Sequence, residues 1–148
     1  MQADDHATLS VCTRCRNQAD RTSDVERPGY RLAERIRSRF PDSEAARLGI
    51  ALRGVRCMSQ CKRPCVVALS CPQKFSLLFG DLNASTDVDA ILHLSAQYAH
   101  APDGLVLRRD RPEPLRAGIL GRIPPLTFGG DLIDTDFTLP PTICKETL

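Results

Sequence analysis

Residues 50–69 read IALRGVRCMSQCKRPCVVAL, a cysteine-rich loop between two apolar segments. The first segment, 50–57, alternates apolar and polar residues at its start and ends on a cysteine, which is typical of a short strand. The second segment, Val66–Leu69, is a short β-branched run of the kind that forms a buried strand. The stretch therefore predicts a strand, a thiol-rich loop and another strand. The loop places three residues between neighbouring cysteines, which are Cys57, Cys61 and Cys65.

The residues before this stretch predict a strand and a helix. Thr8–Cys12 has the character of a short strand that ends on a cysteine, and Cys15 follows at C-x2-C spacing. A helix is expected to enter at Pro28 and to stop at Pro41, because proline disfavours helical geometry in the residue before it. Another helical turn is expected within 42–48. The apolar face of the main helix is Leu32, Ala33, Ile36 and Phe40.

The residues after the loop predict a hairpin and a second helix. Residues 75–82, FSLLFGDL, form a strand that pairs with the strand at 65–70 across the turn after Cys71. Thr86 is the expected cap of the second helix, because its side-chain oxygen can accept a backbone hydrogen bond. This helix ends near Pro102. Its apolar face is Val88, Ile91, Leu92, Ser95 and Ala99.

The order of these elements, β-α-β-β-β-α, predicts an α/β domain over residues 8–101, after a polar tail at 1–7. Seven of the eleven prolines lie in 102–148. Proline interrupts regular structure, so this Pro/Arg-rich C-terminal extension is expected to dock on the domain or to be partly disordered. The residues expected to dock it are Ile119, Leu120 and Ile123.

Composition excludes several classes of function. Hydrophobic residues make up 42% of the 148 residues, enough for a core, so folding does not depend on a metal. The 20 basic and 18 acidic residues nearly cancel, and aromatic residues are only 5%, so neither the charge nor the base-stacking surface of a nucleic-acid-binding protein is present. No apolar run is long enough for a membrane span, and the first ten residues do not resemble a secretory signal. A cytoplasmic location is expected.

Seven cysteines are unusual in such a chain. An odd number argues against a disulfide framework, and clustered thiols in a reducing compartment indicate metal or redox chemistry. Thiolates repel one another unless a soft cation joins them, so the candidates are an iron–sulfur cluster, zinc or Cu(I). Zinc sites commonly pair two C-x2-C groups or combine cysteine with histidine. Here the second group is C-x3-C, which favours an iron–sulfur cluster. The histidines lie in the N-terminal tail or in a predicted helix and are His6, His93 and His100.

The C-x3-C loop and the apolar strand after it resemble the second half of the thioredoxin-like [2Fe–2S] ferredoxins, a group that includes the ferredoxin-like subunit of respiratory NADH dehydrogenase. The resemblance covers residues 8–101, and it implies a thioredoxin-like ferredoxin domain with a four-stranded mixed sheet and two helices. The expected strands are 8–12, 50–57, 65–70 and 75–82. Together with the RIPP sequence of the extension, the cysteine motifs are also similar to an uncharacterised family of small cysteine-rich predicted metal-binding proteins, often associated with cobalamin-related genes.

The resemblance implies a [2Fe–2S] cluster as the cofactor. In the ferredoxins the first cysteine pair is usually separated by four or more residues, and here it is separated by two. Cys65 is therefore an alternative to Cys15 as the fourth ligand, or a neighbour of the ligands. Cys71 is expected to be structural and Cys144 to be a spectator. The implied cofactor and metal ligands are Cys12, Cys15, Cys57 and Cys61.

The expected function is that of an iron–sulfur electron-transfer protein rather than a self-contained enzyme, since no catalytic set or phosphate-binding loop is found. The alternative is a protein that binds or delivers zinc or another soft metal through the same thiols. A C-x-x-C dithiol redox protein comes third, because a polar loop follows the motif and helical signals resume only near Pro28. No nucleic acid or membrane is expected as a partner, and the resemblance makes a homodimer an expectation.

A redox partner protein with an acidic surface is expected to dock on basic residues near the cysteines, because complementary charge speeds encounter. Positive charge there also lowers thiol pKa values. The basic residues beside the cysteines are Arg14, Arg16, Lys62 and Arg63, and those that extend the patch are Arg108, Arg109, Arg111, Arg116 and Arg122.

Overall fold

The structure of this protein is a computed structural model that describes residues 6–15 and 27–142. Short 3-10 turns separate some of the main elements in the described part. The helices and strands are β1 (Thr8–Cys12), α1 (Pro28–Arg39), α2 (Glu44–Arg47), β2 (Ala51–Val55), β3 (Val67–Ser70), β4 (Ser76–Phe79), α3 (Val88–His100) and β5 (Ile119–Ile123).

The described strands form one mixed sheet in the order β2-β1-β3-β4-β5. β1 and β2 are parallel, and every other neighbouring pair is antiparallel. The helix between β1 and β2 provides the crossover that a parallel pair requires. The α/β fold and the β3–β4 hairpin predicted from the sequence are confirmed.

The helices begin and end where local chemistry directs them. Pro28 stands in the first turn of α1, where a missing amide hydrogen costs little. The Ser43 side chain caps α2 by accepting from the Ala46 amide at 3.2 Å. The predicted cap of α3 was wrong by one residue, because Asp87 occupies that position. The Thr86 hydroxyl instead donates to the Asp87 carboxylate at 3.1 Å.

The core lies where the helices meet the sheet. Leu9 of β1 is fully buried, as are Leu32 and Ile36 of α1. Burying one such side chain contributes about 1.5–3 kcal/mol. Tyr98 of α3 is also fully buried, and its hydroxyl donates to the Phe75 carbonyl at 2.7 Å.

The sheet has five strands rather than the four expected, because residues 119–123 of the extension pair with β4. The amide of Gly80 donates to the Gly118 carbonyl at 2.9 Å. This hydrogen bond extends the pairing of the two strands by one residue beyond Phe79 and Ile119. Leu115 is fully buried in the core. The Arg111 side chain is buried as well, and its Nε donates to the Val106 carbonyl at 3.0 Å. Beyond β5, residues 129–142 are nearly all exposed.

Within residues 6–15 and 27–142, the longest helix falls short of the length and apolar character needed to cross a bilayer.

Candidate metal centre

Three strands have an end at the same side of the sheet, and this row of strand ends, which forms one edge of the sheet, carries the cysteines. β1 and β2 run parallel, so both end at this edge, and β3 begins there because it is antiparallel to β1. Cys12 ends β1, and its amide donates to the Val66 carbonyl at 3.0 Å. The C-x2-C turn, the loop after β2 and the residue before β3 therefore lie at one edge.

The start of α1 packs against the turn from Cys12 to Cys15. The Gly29 amide donates to the Cys15 carbonyl at 3.2 Å. A β-carbon on Gly29 would lie 2.7 Å from the Cys12 carbonyl oxygen and 2.7 Å from the Cys15 amide nitrogen. Only glycine allows this approach. The turn thus lies at the positive end of a helix dipole, which favours anionic sulfur, although the helix begins many residues later in the chain.

The surroundings of Cys12 lower the pKa of its thiol. It is buried, and a hydrogen bond from the Cys15 thiol lowers its pKa to about 5, against the opposing effect of burial. The backbone amides of Arg14, Met58 and Cys15 also lower this pKa. The same thiol hydrogen bond, together with burial and the charge of Cys12, raises the pKa of Cys15. One proton is therefore held between the two sulfurs.

Cys65 is a third buried thiol at this edge. Burial raises its pKa to about 11, and the negative charge of Cys12 acts in the same direction. Its backbone is fixed by a pair of hydrogen bonds with Leu82, at 3.5 and 3.3 Å. Burial and the charge of Cys12 both favour the protonated thiol at Cys65. Its role as the fourth ligand or as a neighbour of the ligands stays a prediction.

Cys57 and Cys61 lie on an exposed loop between β2 and β3. The Cys57 sulfur accepts from the Ser59 amide at 3.4 Å. The far end of the loop is anchored, because the Arg63 Nε donates to the Asp81 carboxylate at 2.6 Å and the Asp81 amide donates to the Arg63 carbonyl at 3.0 Å. The Met58 amide, which belongs to this loop, lowers the pKa of Cys12.

The model of the family described as "Protein of unknown function (DUF1636)" matches residues 9–125. The chain belongs to this family. A solved structure described as a thioredoxin-like [2Fe–2S] ferredoxin from Aquifex aeolicus superposes on it with a TM-score of 0.51 and 17% sequence identity. The match covers 84% of this chain and 99% of the other. At this identity the likeness establishes the fold, and the predicted thioredoxin-like ferredoxin architecture is confirmed. No curated protein matches the chain significantly.

This DUF1636 chain offers a thiol donor set that fits a soft metal or an iron–sulfur cluster by its chemistry. Hydrogen bonds to sulfur, such as the amides around Cys12, are among the features that tune such clusters. In the described residues, no three cysteine, histidine or carboxylate side chains stand together in an arrangement that holds an ion. The ligand set of Cys12, Cys15, Cys57 and Cys61 stays a prediction.

The predicted basic patch is less continuous than the sequence suggested. Lys62 is exposed beside the cysteine loop, but Arg63 is paired with Asp81. Arg111, within the extension, is buried and therefore does not contribute to a docking surface. Arg16, like Cys144, lies outside the described residues. Sequence reasoning missed Arg56, which is exposed at the end of β2 and whose position immediately before Cys57 could have identified it.

Proposed function

We propose that this protein is an electron carrier with a [2Fe–2S] cluster held by Cys12, Cys15, Cys57 and Cys61. The observation that carries the proposal is the parallel pairing of β1 and β2, which brings together the turn of the first cysteine pair and the loop of the second. Both lie at one edge of a sheet that resembles a thioredoxin-like [2Fe–2S] ferredoxin.

The chain's own residues would hold the cluster in a site of mixed exposure. Cys12 and Cys15 would bind from the protein interior, and Cys57 and Cys61 from the solvent side. The bound cluster supplies a one-electron couple. The amides around Cys12 and the start of α1 would stabilise negative charge on the sulfur and so raise the reduction potential. The exposed loop leaves a short path for an electron to a docked partner.

The first experiment measures iron, zinc and acid-labile sulfide per chain on anaerobically purified protein, with visible spectra before and after dithionite. The proposal expects about two irons and two sulfides, and an absorbance that dithionite bleaches. About one zinc with no sulfide and no colour would overturn it in favour of a zinc protein, since d10 zinc is colourless and does not change redox state.

Single substitutions then test the ligands. Cys57→Ser and Cys61→Ser should each abolish or strongly reduce the bound metal, and Cys71→Ser is the matched control because its thiol is a non-ligand in this proposal. Cys144→Ser should also leave the metal unchanged. If Cys57→Ser kept the full metal content, the ligand assignment would be wrong. A comparison of Cys15→Ser with Cys65→Ser identifies the fourth ligand, since only the true ligand should cost metal and alter the spectrum.

A dithiol redox function is the second candidate, and two observations favour it. The Cys15 thiol donates to a Cys12 whose pKa is about 5, and Gly29 brings the start of α1 to the same turn. The burial of Cys12 weighs against it, because reactive thiols are partly exposed. Metal-free protein that forms a reversible disulfide between Cys12 and Cys15, located by mass spectrometry of peptides, would favour this function over the cluster.

The cellular setting belongs to the same proposal. The odd number of cysteines and their clustering support a reducing compartment such as the cytoplasm. An acidic redox partner would approach the edge that carries Arg56 and Lys62, and its association should weaken as ionic strength rises. Association that is independent of salt would remove this part of the proposal. The homodimer and the association with cobalamin-related genes stay predictions.

A further inference from the structure

A cleft of about 440 Å³ lies between α1 and the parallel pair β1–β2. Its volume falls within the range of pockets that bind small molecules, about 300–1,000 Å³. Val11 and Leu52 give it an apolar floor, and Gly54 leaves the floor open because it carries no side chain. A β-carbon on Gly54 would already lie 3.0 Å from the Thr13 side chain.

One face of α1 forms the wall of this cleft. The lining positions on the helix follow the i, i+3, i+4, i+7 spacing that places residues on one face. Tyr30 provides an aromatic ring and a hydroxyl to the wall. The small side chain of Ala33 leaves space for a ligand against the helix. The wall residues are Tyr30, Ala33, Glu34 and Arg37.

The rim of the cleft is strongly basic. Glu34 is the single carboxylate among the described residues that line it. Its ion pair with Arg37 is weak, because the two groups are 4.0 Å apart and their side chains are 53% and 75% exposed. The Arg53 side chain lies on the opposite face of the sheet from this floor, where its Nε donates to the Ser10 hydroxyl at 2.7 Å. The arginines of the lining other than Arg53 are Arg14, Arg37 and Arg56.

The position of the cleft matches the place where α/β sheets bind ligands. Thr13 and Arg14 directly follow β1, and Arg56 directly follows β2. In open α/β sheets, ligands occupy the crevice beyond the carboxyl ends of parallel strands. Three arginines, Arg14, Arg37 and Arg56, around an apolar floor at this position would recognise a negatively charged head on an apolar body.

We propose that this cleft binds a small organic anion. The apolar or aromatic part of the ligand lies on Val11 and Leu52, and its carboxylate, sulfonate or phosphate group is bound by the arginines of the rim. The proposal rests on the cleft alone and holds whichever metal the cysteines bind, so its failure would leave the iron–sulfur proposal untouched.

The test is isothermal titration calorimetry of the purified protein with anilinonaphthalene sulfonate, an aromatic anion, as the probe. Wild-type protein should bind the probe saturably at one site. The double variant Arg37→Gln/Arg56→Gln should weaken binding about tenfold, because a charged hydrogen bond contributes on this scale. Both side chains are exposed, so folding should be retained and can be checked by thermal unfolding. Arg31→Gln is the matched control, since Arg31 is exposed on α1 and lies outside the cleft lining.

Three results would overturn the proposal. Absence of saturable binding would remove the site. An equal loss in Arg31→Gln would show that the probe responds to general positive charge. Loss of binding in Phe137→Ser, with the arginine variant unaffected, would place the probe on the exposed apolar side chains of the extension, where Phe137 is 87% exposed.

Discussion

Gly29→Ala tests the packing of α1 against the cysteine turn more directly than any other single substitution. The added β-carbon would lie 2.7 Å from two backbone atoms, the Cys12 carbonyl oxygen and the Cys15 amide nitrogen. Ordinary contact begins near 3.4 Å, so the helix and the turn must separate by about 0.7 Å. Neither atom belongs to a flexible side chain that can move away.

The expected loss of stability follows from two opposing effects. Overpacking of a tight site typically costs about 1–3 kcal/mol. Replacing glycine by alanine in a helix increases the helix propensity and stabilises the folded state by up to about 1 kcal/mol, which offsets part of this cost. The free energy of unfolding should therefore fall by about 1–2 kcal/mol, which lowers the Tm of a protein of this size by roughly 2–8 °C.

The assay is thermal unfolding followed by circular dichroism on reduced, anaerobically prepared protein. Gly121→Ala is the matched control, because a β-carbon on Gly121 of β5 has no neighbour within 4 Å and its backbone conformation is ordinary. Its Tm should be unchanged or slightly raised. If Gly29→Ala unfolded at the same temperature as the wild type, α1 would not pack on the Cys12–Cys15 turn as described.

Two further predictions concern Tyr98 and Arg111. Burial raises the pKa of Tyr98 above its ordinary value of 10.0. Below pH 10 the tyrosine is protonated in both the folded and the unfolded chain, and its contribution to the free energy of unfolding is complete. Above pH 10 the unfolded chain ionises first, so the free energy of unfolding falls by up to about 1.4 kcal/mol per pH unit. Urea unfolding from pH 8 to 11 should show a shallower alkaline loss in Tyr98→Phe, and an identical loss in both proteins would refute the assignment. Arg111→Met removes a buried guanidinium that donates to the Val106 carbonyl and lies over the Phe79 ring, 5.7 Å from its centroid. It should cost about 2 kcal/mol and speed proteolysis within residues 102–142, whereas the exposed Arg109→Met should behave as wild type.

The elements formed by local pattern could be predicted from the sequence. Thr8–Cys12 was predicted with its observed bounds, because its alternation and its final cysteine are both local signals. β2 is shorter than expected, 51–55 instead of 50–57, because the chain leaves the sheet before Arg56 to enter the cysteine loop. β4 is likewise shorter, at 76–79, although Gly80 continues the hydrogen bonding towards Gly118.

Features that depend on distant contacts could not be predicted. β5 has the sequence ILGRI, whose glycine and arginine weaken any strand signal, and prolines lie on both sides of it. It is a strand because β4 offers an open edge. The close approach of Gly29 to the cysteine turn is invisible in sequence, where Pro28-Gly29 predicts only a helix entry. The cleft arises from a helix and two strands that are far apart in the chain.

The late position of β5 in the chain has a consequence for synthesis. As the polypeptide leaves the ribosome, β1 to β4 are complete well before residues 119–123 emerge, so the outer edge of β4 remains unpaired during that interval. An unpaired edge is a template for pairing with another chain. Leu115, which is fully buried in the core just before β5, holds the closing strand near its own sheet. A nascent chain that stalled before Gly118 would present the edge of β4 to its neighbours.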